Sequence, residues 1–188
     1  MKSLALVLLL LLAVPAYADD SICTDRPGAG SDFCILKPGL AQVEMGTDGQ
    51  EIRYGLTHNL EIFQSDTTYG MKYNVYNDQK FGISVRPQYD YNNVFSIEVP
   101  MQYTFNDKFN LSMDISKQQH TNYYQSAMAL NYNVTPEYTV SAGVYTDKNR
   151  VYRQESITWI PASNQTLQLD AGFTNNKLYF GISKYFKF

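Results

Sequence analysis

"FNLSMDISKQQ", residues 109–119, puts an apolar side chain at every second position: Phe109, Leu111, Met113 and Ile115. Asn110, Ser112, Asp114 and Ser116 stand between them. A period of two is the signature of a strand with one apolar face and one polar face. Which face meets water decides the fold. A soluble sheet hides its apolar face against a core, whereas a membrane barrel turns that face to lipid.

The same alternation recurs along the chain from Gly39 onward. Short polar clusters interrupt it at 47–49, 57–59, 65–68, 77–79, 90–93, 106–108, 117–121, 135–137, 147–150, 162–164 and 174–177. These clusters are rich in Asn, Asp, Gly and Pro, residues that supply turn conformations. The spacing predicts about twelve strands of roughly 9–11 residues joined by tight turns. Ten strands, or eight, would require turn clusters to lie inside strands. An even count lets an up-and-down antiparallel sheet close on itself, with both termini at one end and no unpaired edge. The predicted fold class is therefore all-β, a closed antiparallel transmembrane β-barrel. Pro87 and Pro100 fall inside the fifth and sixth strands, where a missing N–H predicts a bulge or a break in the ladder.

Three features turn the apolar face outward. Aromatic residues of the apolar parity sit near both strand ends. Phe81, Phe105, Phe109, Tyr138, Trp159 and Phe188 mark one rim, and Tyr69, Tyr89, Phe95, Tyr124, Phe173 and Phe180 the other. Paired girdles of this kind mark two membrane interfaces. A twelve-stranded barrel is also too wide for one layer of apolar side chains to fill. Finally, the opposite parity carries charges near mid-strand, which would be costly against lipid. Lys184 falls on the apolar parity but near the terminus, where a long side chain can reach the interface. The tenth strand, "VYRQESITWIP", alternates poorly. A secreted soluble sandwich would account for strands but not for two aromatic rims on one face.

The first eighteen residues, "MKSLALVLLLLLAVPAYA", combine Lys2, an apolar run and a small-residue cleavage site, and read as a secretory signal peptide. Three parts follow: 1–18 signal, 19–38 a periplasmic segment, and 39–188 the barrel. Cys23 and Cys34 are the two cysteines of the chain. In an oxidising compartment they are expected to form a disulfide that closes the 19–38 segment, contributing about 2–3 kcal/mol. The expected location is the bacterial outer membrane.

The inward parity collects Glu44, Glu51, Arg53, Glu61, Lys72, Arg86, Glu98, Asp114 and Asp170 as charged lumen-lining residues. Carboxylates outnumber bases, so the lumen is either a charge-biased pore or a salt-bridged, closed one. Net charge is −3, which offers no polybasic surface for nucleic acid. No catalytic residues, metal site or cofactor are expected. His58 and His120 both fall in turns, and a loop histidine beside Ser116 and Ser126 is not an ordered base–nucleophile–orienter set. The turns are too short for a large receptor surface.

The last strand, "KLYFGISKYFKF", resembles the C-terminal signature by which outer-membrane proteins are recognised for assembly, with Phe186 and Phe188 as its aromatic residues. That resemblance implies the barrel-assembly machinery and outer-membrane lipid as partners. "CTDRPGAGSDFCILKPGLAQVEMG" and "RYGLTHNLEI" resemble a family of outer-membrane barrels linked to phenol-degradation pathways and often described as transporters. The matching positions are Cys23, Thr24, Asp25, Arg26, Pro27, Cys34, Pro38, Gly39, Gln42, Glu44 and 53–61. The resemblance implies passive passage of small molecules, apolar or aromatic ones among them. The alternatives are a structural or stress-related barrel with a closed lumen and, further off, a lipid-modifying enzyme. Whether residues 19–38 plug the barrel is left open by the sequence.

Overall fold

The computed structural model describes residues 32–47, 49–121, 124–147 and 150–187. Twelve strands follow one another: β1 (Leu40–Gly46), β2 (Gly49–Thr57), β3 (Leu60–Ser65), β4 (Thr68–Asn77), β5 (Phe81–Asp90), β6 (Phe95–Asn106), β7 (Phe109–Gln118), β8 (Tyr124–Asn133), β9 (Tyr138–Asp147), β10 (Arg150–Trp159), β11 (Leu167–Thr174) and β12 (Lys177–Lys187). Each strand pairs with its sequence neighbours, and β1 closes the cylinder on β12. That closing seam is antiparallel, from Leu40 opposite Lys187 to Gly46 opposite Gly181. Twelve strands and the up-and-down order are as the turn chemistry predicts.

Side-chain amides and carboxylates set the turns. Asp78 Oδ1 accepts the N–H groups of Lys80 and Phe81, each at 2.7 Å. Asn106 and Asp90 do the same between β6 and β7 and between β5 and β6. Asn175 and Asn176 adopt φ of 46° and 66°, the pair of left-handed residues that a two-residue hairpin with strand-matched twist requires.

Both prolines break the ladder. Between β4 and β5 the register passes from Gly70 opposite Gln88 to Tyr73 opposite Val85, skipping the rungs beside Pro87, and shifts again between Asn74 and Tyr76. Between β5 and β6 it skips from Ile83 opposite Met101 to Arg86 opposite Glu98, across from Pro100. The gap at Pro87 underlies an apolar groove of about 540 Å³ on the outer wall, edged by Ile52, Ile62, Tyr69, Met71 and Tyr89.

The two faces of the cylinder have opposite chemistry. Ile52, Ile62, Met71, Val75, Ile115, Met128, Leu130 and Phe180 are exposed on the outside. The rims carry stacked rings. Tyr69 and Tyr89 lie 6.1 Å apart at one end, and Phe109 and Tyr132 lie 4.7 Å apart at the other, beside Tyr138 and Trp159 at 6.3 Å. The shielded residues are mostly polar: Gln42, Glu44, Arg53, Glu61, Lys72 and Ser84 are all at most 1% exposed. Strands with an apolar exterior and a polar interior invert the soluble pattern, as a transmembrane barrel requires. Lys184 does not reach out to solvent from the outer wall. It is 3% exposed, in a row between Val43 and Leu167.

Candidate functional site

The chain enters the barrel before it becomes part of the wall. Residues 32–39 form a strap laid against the inner surface of β1–β5, in the half of the barrel where Leu40 and Lys187 meet. Two glycines on the inward parity make room for it. A Cβ on Gly55 would lie 2.2 Å from the Lys37 carbonyl oxygen and 2.5 Å from that of Leu36. A Cβ on Gly82 would lie 2.1 Å from a carbon of the Phe33 ring. Any side chain at either position would collide with the strap. Leu36, 1% exposed, packs on the inward ring of Tyr185 from β12.

The strap is a run of backbone with no strand partner, so its polar groups need donors and acceptors from the wall. Arg53 Nη2 donates to the Cys34 carbonyl at 3.2 Å, and Lys72 Nζ to the Asp32 carbonyl at 2.8 Å. The Ser84 hydroxyl donates to the Phe33 carbonyl. In return, Glu61 Oε2 accepts the Leu36 N–H at 2.8 Å, and the Gly55 carbonyl accepts the Gly39 N–H at 3.0 Å.

The cations that serve the strap are themselves held by carboxylates. Arg53 reaches Glu61 at 2.7 Å, Glu44 at 3.3 Å and Glu51 at 4.0 Å. Lys72 reaches Glu61 at 3.4 Å. Arg86 pairs with Glu51 and stands 3.7 Å from Glu98, and its guanidinium caps the buried Phe63 ring at 3.7 Å. The structure therefore brings Glu44, Glu51, Arg53, Glu61, Lys72, Arg86 and Glu98 into one connected network on β1–β6. Buried charges of this kind are tolerated only when so paired.

Asp114 and Asp170 stand on β7 and β11, both shielded on the inward face. Their half of the wall is lined by small polar groups. Asn131 bridges Asn110 and Ser141, Gln168 donates to Asp170 at 2.9 Å, and Thr158 stands opposite Asp170 across the ladder. Near the far rim, Tyr145 and Tyr152 stack inward at 4.7 Å.

Beside the strap, a polar cleft of about 520 Å³ opens between Cys34, Ile35, His58, Asn59 and the end of β4. His58 sits at its edge, and His120 lies in the turn at the other end of the barrel with φ of 64°. Among the described residues no group of three His, Cys, Asp or Glu could hold a metal. Residues 1–31, with Cys23 and the signal segment, and Phe188 lie outside the described residues. So do the expected Cys23–Cys34 pairing and the terminal half of the assembly signal. Phe186 is described, half-buried in β12.

Ser84, Gly55, Gly82 and Phe63 belong to the site without having been singled out by the sequence. The two glycines carry a signal in hindsight: each interrupts an otherwise polar inward row.

The fold is similar to that of the KdgM porin, with a TM-score of 0.52 at 11% identity, covering 79% of this chain and 98% of that one. The NanC porin (TM-score 0.49, 9% identity, 79% and 99% coverage) and a mutant Rh. blastica porin (0.49, 13%, 74% and 55%) are also similar. No family model matches the chain, and no curated protein does. The likeness at this level of identity speaks to the barrel fold and not to the phenol-degradation family. The closed twelve-strand barrel and its lipid-facing exterior place the protein in the bacterial outer membrane.

Proposed function

We propose that this protein is an outer-membrane channel for passive passage of small polar molecules, selective against anions and narrowed at its periplasmic half by the strap at 32–39. The observation that carries the reading is a closed barrel whose inward face is polar and acid-rich. Glu44, Glu51, Glu61, Glu98, Asp114 and Asp170 outnumber Arg53, Lys72 and Arg86. An excess of carboxylate along the bore lowers the barrier for cations and raises it for anions. The polar lining favours hydrophilic solutes over the apolar or aromatic ones that the resemblance to the phenol-linked family implies. In this reading the disulfide between Cys23 and Cys34 anchors the strap from its outer end.

A specific observation favours a second reading, a barrel with a closed lumen. The strap and the ion network together occupy the inner face of β1–β5, and the rest of the bore decides whether water crosses. Planar-bilayer recording separates the two. The channel reading expects conductance with a reversal potential displaced toward cation permeation, and higher conductance after deletion of residues 19–38. No channel events from either the wild type or the deletion variant would sink it.

A further inference from the structure

The turns at the rim away from the termini divide by charge. On the β1–β6 side, turns 47–49, 65–68 and 90–93 carry Asp48, Asp66 and Asp90 and no base. On the β7–β12 side, turns 117–121, 147–150 and 174–177 carry Lys117, Lys148, Arg150 and Lys177 against one carboxylate, Asp147. Arg153 joins the basic side. Its N–H donates to Asn175 Oδ1 and its carbonyl accepts the Asn175 N–H, both at 3.0 Å, so it is tied to the turn between β11 and β12. Lys177 stands two residues further along that turn, and Arg150 three residues back along β10. Arg150, Arg153 and Lys177 are all exposed.

The level of these bases in the membrane follows from the rings beside them. Lys117 and Arg153 belong to the outward rows of β7 and β10, opposite Ile97 and Val144. Lys117 lies over Tyr124 at 4.8 Å. Phe173, exposed on β11, is opposite Glu155, two residues from Arg153. Outward aromatic rings at strand ends mark the depth of lipid head groups. Among the described residues, none of Lys117, Arg150, Arg153 and Lys177 is in an ion pair, Arg153 and its neighbour Glu155 included. Arginine forks match phosphate oxygens, and each base near a membrane surface strengthens binding of anionic lipid about fivefold.

We infer that the β7–β12 half of this rim binds anionic, phosphate-bearing lipid, with Arg150, Arg153 and Lys177 at its centre and Lys117 at its edge. The acidic β1–β6 half repels the same head groups. The surface lies outside the lumen and does not depend on whether the lumen conducts.

The test places one tryptophan on either half of the rim of the full chain, in a Trp159→Phe background: Phe173→Trp on the basic half, Tyr89→Trp on the acidic half. Each variant is folded into phosphatidylcholine vesicles that contain a minor fraction of brominated lipid, either phosphatidylglycerol or phosphatidylcholine. Bromine quenches indole fluorescence on contact. From the quenching, phosphatidylglycerol should associate about fivefold or more better than phosphatidylcholine at Phe173→Trp and no better at Tyr89→Trp. Arg150→Gln, Arg153→Gln and Lys177→Gln together should remove the preference at Phe173→Trp, and high salt should reduce it. Equal preference at the two positions, or a preference unchanged by the three substitutions, would overturn the inference. If a tryptophan variant does not fold, the two lipids retained by the wild-type chain out of an equimolar membrane decide, and retention without enrichment of phosphatidylglycerol overturns it.

Discussion

Replacing Glu61 by Ala removes the point at which strap and wall are tied. Glu61 accepts the Leu36 N–H at 2.8 Å, Arg53 Nε at 2.9 Å and Arg53 Nη2 at 2.7 Å, and lies 3.4 Å from Lys72. It is fully shielded. Arg53 keeps Glu44, and Lys72 keeps the Asp32 carbonyl, but the Leu36 amide loses its acceptor. Removing one partner from a buried ionic network commonly costs about 3–5 kcal/mol. In a water-filled lumen the same deletion would cost about 0.2–1 kcal/mol, the range for solvated pairs. The gap between these ranges makes the substitution decisive. The assay is reversible urea unfolding in lipid vesicles, followed by the fluorescence of Trp159, the one tryptophan of the chain. Glu61→Ala is expected to lose about 3–5 kcal/mol. Glu61→Gln, which keeps an acceptor for Leu36 but not the charge, should fall between it and the wild type. Hydrogen exchange at the Leu36 amide should accelerate in the Ala variant while exchange in β8 and β9 does not. An Ala variant within about 1 kcal/mol of wild type, with Leu36 still protected, would refute a dry, strap-bearing network.

Gly55→Val should expel the strap, because the new Cβ meets backbone oxygens that cannot swing aside; higher single-channel conductance and loss of about 1–3 kcal/mol are expected. Pro100→Val should return a donor opposite the gap at Ser84 and Val85, adding about 0.5–1.5 kcal/mol and slowing exchange of the amides there. Asp78, in the exposed turn between β4 and β5, has its carboxyl held below the usual range, first by the Phe81 N–H and then by the Tyr76 hydroxyl and the Lys80 N–H. A lowered carboxyl pKa means its contribution is complete above the unfolded value and is lost as pH falls through the folded one. The Lys80 and Phe81 amide resonances should therefore shift only at pH below the ordinary aspartate range, and Asp78→Asn should abolish that titration.

Strand count, connectivity and the inversion of faces were legible because their causes are local. A period of two runs through "FNLSMDIS", and every turn but 117–121 carries Asp, Asn, Gly or Pro within its few residues. The ladder gaps were legible for the same reason, since Pro87 and Pro100 lack a donor wherever they stand. The inward charges could be picked out by parity, but their arrangement could not. Arg53 touches Glu44, Glu51 and Glu61 because β1, β2 and β3 are neighbours in a particular register, and register is a property of pairs of strands. The strap was the least legible element. "DFCILKPG" has no period, and what fixes it is the absence of side chains at Gly55 and Gly82 together with carbonyl groups every residue possesses.

The uneven distribution of charge in the lumen follows from that strap. A segment of backbone lying against a wall without pairing exposes carbonyl oxygens, and carbonyls must be met by donors. Lysine and arginine are donors without acceptor capacity, long enough to reach from the wall to a chain seated over its glycines. Arg53 and Lys72 stand where the carbonyls of Cys34 and Asp32 fall. Each shielded cation then requires carboxylates, and Glu44 and Glu61 supply them, while Glu51 and Glu98 hold Arg86 against Phe63. Charge on β1–β6 is therefore committed to holding the strap and bracing the wall. Among the described residues, the inward row of β7–β12 between the rims holds Asp114 and Asp170 among Ser, Thr, Asn, Gln, Ala, Gly and Tyr, and no base. In the proposed channel, Asp114 and Asp170 add negative charge to the lining on β7 and β11. Asp114→Asn with Asp170→Asn should weaken cation preference while leaving the strap in place, whereas substitutions at Arg53 or Lys72 should act on the strap first and on selectivity only through it.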